Sequence, residues 1–545
     1  FRLGLTQQIV GERVRASRRY VLQRRLADAL VSAPPSAEKI RLLVAAGRSL
    51  DTAGGGFGPY MKRAVRDVVQ WSSVLLEDRR AEEVLPALRL VVPWVEAHAA
   101  KTSEGFQPPR GFSARLMAQL FLLHARALGL LEPGDKRADA ALERADALVC
   151  TGKKSEDLFP HETDLFAEIR IEKARLYRRR GDVVKSQEIL DQTRADLQAG
   201  ASAPLRIKFH LDLGASHMFL GGVEKALKEY EIAQNVSAEV DDLRALGEAR
   251  VGCGIARHAL GQLVGAEEDL RAAGDVFGRV GDDAGRWHAS LNLADVLRLQ
   301  CRFSEALQLV EPAMQDARMS GRPYRYAGLL VNLAETQIEL FRLGEARDIL
   351  AELERLDITT HHPFMAAARS LLRGRLFVSA NDSKLAIEVL SEGLNAAAAA
   401  ELPVLSHQLR AYLGEALAKE GDLRRADTET RKAIDGLAQE RHTPLLGEAC
   451  ACRVRALGEH EDPDMVFQPV LPWLNQQPVH LMRITYFIGA GDYARHRGAS
   501  QRARGYYQQA EDTLREIRGL LAQSERSALQ VHPWVNTIKR GKHLV

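Results

Sequence analysis

Asn292-Leu293-Ala294-Asp295-Val296-Leu297-Arg298-Leu299-Gln300-Cys301-Arg302-Phe303-Ser304-Glu305-Ala306 is followed, 40 residues on, by Asn332-Leu333-Ala334-Glu335 through Phe341 to Ala346, and this recurrence decides the fold. A loop position, often glycine, returns at Gly181, Gly221, Gly261, Cys301, Phe341, Asn381 and Gly421. Seven residues before it stands a small residue: Ala174, Gly214, Gly254, Ala294, Ala334, Gly374 and Gly414. Five residues after it stands another: Ser186, Ala226, Ala266, Ala306, Ala346, Ala386 and Ala426. Four residues further on lies a mostly larger one: Leu190, Tyr230, Leu270, Val310, Leu350, Leu390 and Thr430. Internal repeats of this length are the mark of a stacked array.

The pattern has a direct physical reading. Each unit predicts two amphipathic helices joined by a short turn. Small residues sit where helices cross, because the interaxial distance is set by the side chains at the contact. The larger residue shares a face with the alanine one turn earlier and fills the groove. Glycine at the loop position supplies a left-handed cap without steric cost. One hairpin cannot bury its apolar stripe alone, so neighbours stack into a quasi-one-dimensional core.

Composition agrees. Charged residues make up 27% and aromatics 6% of the 545 residues, as suits a helical rather than a disordered chain. Lys and Arg number 75 against 72 Asp and Glu, so overall charge favours neither nucleic acid nor an anionic membrane. An arginine-rich start (Arg13, Arg15, Arg18, Arg19, Arg24, Arg25) reads most simply as a solvated helix face, with a phosphate patch as the sharper alternative. Five scattered cysteines, including Cys450-Ala-Cys452, suit a reducing cytoplasm and buried packing rather than a zinc site. No signal peptide and no apolar run of membrane-spanning length is expected. A chain that opens on Phe1 leads to the expectation of a fragment or processed product.

The expected organisation runs as follows: residues 1–35 a helical segment, 36–166 irregular paired helices, 167–446 seven repeats of 40 residues, 447–480 a degenerate repeat, 481–520 a recovered repeat, and 521–545 a capping helix with a basic tail. Pro463, Pro469, Pro472 and Pro478 break the degenerate repeat. Gly491, Gly498, Ala503, Tyr507 and Ala510 restore the pattern after it, and Asp51 to Pro59 is expected to form a loop.

The small–small–large pattern resembles the tetratricopeptide repeat over residues 167–446, although the period exceeds that family's usual 34 or so residues. The resemblance implies an all-α, right-handed superhelical solenoid of helix-turn-helix repeats. The phrases at Asn292 and Asn332 look like the longer repeats of kinesin light chains and of bacterial signalling ATPases. The first thirty residues, from Phe1-Arg-Leu through Arg18-Arg-Tyr to Leu26-Ala-Asp-Ala-Leu30, resemble the closing element of STAND-class signalling ATPase modules, with Leu3 where that family often has His. The stretch Arg526 to Trp534 is similar to the way such arrays end. This resemblance implies a C-terminal sensor region, with any ATPase or Ser/Thr kinase activity lying upstream.

Active-site motifs do not emerge. Gly54 to Gly58 followed by Lys62 lacks the Gly-Lys-Ser/Thr of a phosphate loop. His161-Glu162 and His460-Glu461 lack the second histidine of a metalloprotease helix. Gly214-Ala-Ser-His217 lies within a repeat helix, and His361-His362 reads as an inter-repeat loop. The chain is therefore expected to be non-enzymatic, without cofactor or metal, and to bind a protein or peptide rather than membrane or nucleic acid. An enzyme with a cryptic site in residues 36–160 or 447–545 is the contrasting expectation, and a component or protease target in a bacterial defence cascade is a further one. By analogy with tetratricopeptide proteins, first helices line a concave binding face. Its exposed positions would be Lys208, His258, His288, Asn292, Asp295, Arg298, Asn332, Glu335, Glu339, Arg375, Gln408 and Glu415, with the asparagines pairing with peptide backbone and Arg298 and Arg375 gripping an anion.

Overall fold

At every loop position of the 40-residue ladder the backbone is left-handed: φ is 90° at Gly181, 74° at Gly221, 77° at Gly261, 59° at Cys301, 60° at Phe341, 62° at Asn381 and 87° at Gly421. Four of the turns between units share this conformation, at Asp241 (56°), Gly281 (68°), Glu401 (53°) and Arg441 (50°). The underlying step is thus one helix and one turn every 20 residues. In each turn the next N–H bonds back to the fifth carbonyl before it, as in Asp242 to Ser237 at 2.9 Å and Asp422 to Leu417 at 3.0 Å. The same residue then starts the following helix. Asp242, Asp282, Asp382 and Asp422 each cap the third helical N–H with their side chains.

The computed structural model describes residues 33–51, 59–77, 80–102, 105–109, 112–131, 134–150, 160–197, 201–319, 323–356, 363–477 and 480–545. The ATPase-like segment at the start, the loop between Asp51 and Pro59 and the His361-His362 loop fall outside these residues. The chain divides into two compact units, 1–212 and 213–545.

In the first unit, α1 (Ala37–Asp51), α2 (Pro59–Glu77), α3 (Ala81–His98), α4 (Ala114–Leu131), α5 (Lys136–Cys150), α6 (Pro160–Arg179) and α7 (Val183–Leu197) pack in sequence order. Their core gathers Val65, Val84, Leu88, Val91, Leu120 and Phe121. Between α3 and α4 the chain forms a small antiparallel hairpin, β1 (Ala100–Thr102) and β2 (Gly105–Gln107), with Ala100 opposite Gln107. The helical reading of this region had no place for it. The expectation of no membrane-length apolar run also needs correcting, since α4 is long and apolar enough to qualify. Its position explains its composition: 67% of that stretch is buried inside the unit.

α8 (Ala203–Phe219) carries the chain across the boundary. The second unit continues with α9 (Val223–Glu239), α10 (Leu243–Ala259), α11 (Leu263–Val280), α12 (Asp283–Leu299), α13 (Phe303–Met319), α14 (Pro323–Glu339) and α15 (Leu343–Glu354). It goes on with α16 (Pro363–Ser379), α17 (Ser383–Ala399), α18 (Pro403–Lys419), α19 (Leu423–Gln439) and α20 (Thr443–Leu457). The small positions are needed where the sequence puts them. A Cβ on Gly214 would lie 2.7 Å from the Tyr230 ring, on Gly254 2.6 Å from Leu270, on Gly374 2.2 Å from Leu390 and on Gly414 2.5 Å from Thr430. Each partner is the larger residue of the same unit, so the crossing is glycine against bulk, with the second-helix alanine buried beside it.

After α20 the prolines reshape the chain. Pro463 and Pro472 open two short helices, α21 (Pro463–Phe467) and α22 (Leu471–Gln476), in place of one regular helix. This lets the degenerate repeat turn back across the array. Trp473 donates from Nε1 to the carbonyl of Gly261 at 2.8 Å, 212 residues away. Arg441 pairs with Glu224 at 2.5 Å. The recovered hairpin, α23 (Leu481–His496) and α24 (Ser500–Leu520), turns at Gly498 with φ 74°. It packs with Cys301, Phe303 and Leu340 in a shared core that includes Ile484, Leu514 and Ile517. The expected basic tail is instead helical. α25 (Gln523–Gln530) and α26 (Pro533–His543) close the chain, and Lys542 pairs with Glu511.

Candidate functional site

The second unit forms a half-open cavity of about 450 Å³, walled by α10, α12, α14, α16, α18, α20, α23 and α26. His258, Arg298, Glu335, Glu339, Arg375, Gln408 and Glu415 of the expected set all line it. Asp295 and Asn332 stand behind this wall, Asn332 donating to Asp295 at 2.9 Å and Asp295 lying 3.4 Å from Arg298. Lys208 belongs to the first unit and pairs with Glu168 at 2.9 Å. Asn292 is spent on its own helix, donating to the His288 carbonyl at 2.8 Å, and His288 lies beside the Trp287 ring.

The expected exposure of these positions is wrong. Arg298 is 9% exposed, Arg375 5%, Asn332 3% and Glu415 3%. The face is partly roofed by α20 and the helices beyond the proline break, so its charges lie buried or half-buried against one another. Arg298 reaches Glu339 at 2.5 Å and Glu335 at 3.2 Å. Arg375 reaches Glu335 and Glu339, both at 3.2 Å, and Glu448 at 3.4 Å. Its guanidinium also lies 5.2 Å from the centre of the Tyr412 ring, whose hydroxyl donates to Glu448 at 2.5 Å. Arg455 pairs with Glu415 at 2.8 Å.

Burial and charge set the protonation. Desolvation pushes the carboxyls of Asp295, Glu335 and Glu339 above their ordinary range, against the pull of Arg298. Glu448 shares the burial, yet Arg375 and the Tyr412 hydroxyl hold it low. Burial lowers His258 and His480 to about 4 and His442 and His532 to about 3, so these rings are neutral. Burial also raises the thiols, Cys450 to about 12, which leaves Cys450 and Cys452 as inert core residues, as the sequence predicted. Among the described residues no group of His, Cys, Asp and Glu is arranged to hold a metal.

Glu448, Arg455, His480, His532 and Trp534 line the cavity although sequence reasoning did not select them. Part of the signal was available. Asp295, Glu335, Arg375, Glu415 and Arg455 occupy one repeat position, 40 residues apart, and alternate in sign from Glu335 onward. Carrying that step past residue 446 would have found Arg455, and stepping from Gln408 would have found Glu448. Nothing in the repeat could place His480 or Trp534, which arrive through the proline break.

Fold and site together define an array of helical hairpins around a half-open cavity of mixed polar and apolar lining. Neither a protein-family model nor a curated protein matches the sequence. Solved structures similar to it include a Rap protein complexed with Competence and Sporulation Factor, at 13% identity over 74% of this chain and 99% of that one, TM-score 0.41. Others are the Rap conjugation regulator of plasmid pLS20 with the Phr* peptide (12%, 75% and 94%, TM-score 0.44) and the APC/C hetero-tetramer Cut9–Hcn1 (14%, 88% and 86%, TM-score 0.43).

Proposed function

We propose that this chain acts by binding rather than by catalysis, as a cytoplasmic sensor or scaffold region of a bacterial signalling protein, and that a peptide or an extended protein segment enters its cavity. The cavity itself carries the reading. Its volume of about 450 Å³ falls in the range of ligand sites. Its wall combines buried ion pairs with the apolar faces of Tyr412, Leu445, Ile488 and Trp534. Well-packed apolar side chains would stabilise such a core at least as well as ion pairs do, so an unfilled cavity lined by ion pairs fits recognition better than stability alone. The resemblance of the first thirty residues to STAND modules supports the finer reading, a regulatory region downstream of an ATPase or kinase. Gene sequence upstream of Phe1 tests that part, and a stop codon close by would sink it.

The binding claim is tested by filling the cavity. Gln408→Trp places a large ring at a lining position, and a peptide selected on the wild-type chain should lose at least tenfold in affinity while the melting temperature is retained. Unchanged affinity in a folded Gln408→Trp protein would show that peptides bind elsewhere.

A further inference from the structure

Two guanidiniums in the cavity serve four carboxylates. Arg298 contacts Asp295, Glu335 and Glu339, and Arg375 contacts Glu335, Glu339 and Glu448. The neighbouring cations Arg455 and Lys419 both lie against Glu415. The terminal nitrogens of both arginines are therefore engaged, while each carboxylate, able to accept about four hydrogen bonds, has sites to spare. An anion would have to displace an acid and then sit among the rest. A cation would complete the charge balance that two guanidiniums leave open among four carboxylates.

His480 supplies an independent observation. It lines the cavity and is 2% exposed. Its Nδ1 accepts the backbone N–H of Met482 at 3.1 Å, so in the neutral ring the proton sits on Nε2. That Nε2 is buried without a partner, as are the Nε atoms of Arg298 and Arg375. A buried donor left unmet is costly, so a ligand that fits here brings an acceptor as well as a charge.

We propose that the cavity binds a basic peptide residue, its ammonium or guanidinium held between Glu335 and Glu339 and an adjacent backbone carbonyl accepting from Nε2 of His480. The assignment rests on the reading of the cavity as a peptide site and narrows it to one charge class. Tyr412 and Trp534 also line the cavity, and their apolar rings suit the stem of such a side chain.

Calorimetric titration of the full chain separates the two claims. The probes are acetylated dipeptide amides with phenylalanine second and arginine, lysine, citrulline or glutamate first. Citrulline keeps the shape of arginine without its charge. The arginine or lysine peptide should bind at least tenfold more tightly than the citrulline peptide, the comparison between the two showing which cation is preferred, and the glutamate peptide should be weakest. In Glu335→Gln/Glu339→Gln protein the tenfold preference should fall below threefold. Equal binding of the citrulline peptide, or preference for glutamate, overturns the cation assignment and leaves the peptide reading standing. Silence from all four probes overturns both. The wild-type comparison needs no variant, so a misfolded mutant cannot rescue the claim.

Discussion

The non-glycine residues at left-handed turns show how single side chains set the array's stability. Glu401 has φ 53° and is exposed. Left-handed backbone costs an ordinary residue about 1–2 kcal/mol, and glycine escapes that cost. Glu401→Gly is therefore expected to stabilise the chain by about 1 kcal/mol, and a thermal melt that stayed put or fell would contradict the turn geometry. The histidines around the cavity act in the opposite sense. His258, His442, His480 and His532 hold folded-state values of about 3–4, below the ordinary 6.5. They are neutral when folded and take up protons more readily when unfolded. The stability they allow is complete above pH 6.5 and is lost as pH falls towards 4, by up to about 1.4 kcal/mol per unit for each ring. Asp295, Glu335 and Glu339, with raised values, work against this loss as they protonate. Urea midpoints should fall between pH 7 and pH 5, and the fall should be shallower in His442→Gln. A rising midpoint would sink the assignment.

Among the elements, the helix crossing is the most constrained feature. Ala306 is buried where α12 meets α13, and Ala306→Leu should overpack the contact and cost about 1–3 kcal/mol, read as a lower melting temperature. An unchanged melt would mean the repeat frame is misplaced. This frame was the most legible part of the sequence, because it is local: Gly214 meets Tyr230 and Gly254 meets Leu270 within one hairpin, at fixed offsets. The half-step was harder to see. Of the four left-handed half-step turns among the described residues only Gly281 is glycine, and Asp241, Glu401 and Arg441 take the same backbone without it, so the period of 20 has only a faint compositional mark. The site was half legible for a related reason. Glu335, Arg375 and Glu415 follow from repeat position, whereas the α23 and α26 residues that face them, His480 and Trp534 among them, arrive through long-range packing that no local pattern encodes.

In the second unit as a whole, the closing contacts decide whether an interior exists. Trp473→Ala should cost about 3–5 kcal/mol, the usual loss for a buried Trp, and should also raise hydrogen exchange in α10 and α20 together. Faster exchange in α22 alone would show that the seam holds without the ring. These contacts join residues 212 and 217 apart, while the hairpins join neighbours about 20 apart, and that difference gives the molecule a clock. Short loops close first because each doubling of loop length costs only a little more, but always more, and local pairings set the early rate. On a ribosome the ladder from α9 onward can assemble turn by turn as it emerges. The seam has to wait for Trp473, and the roof for helices beyond residue 481. The cavity thus forms only after α23 and α26 have been made, and a product halted before them would be folded along the ladder and yet lack it.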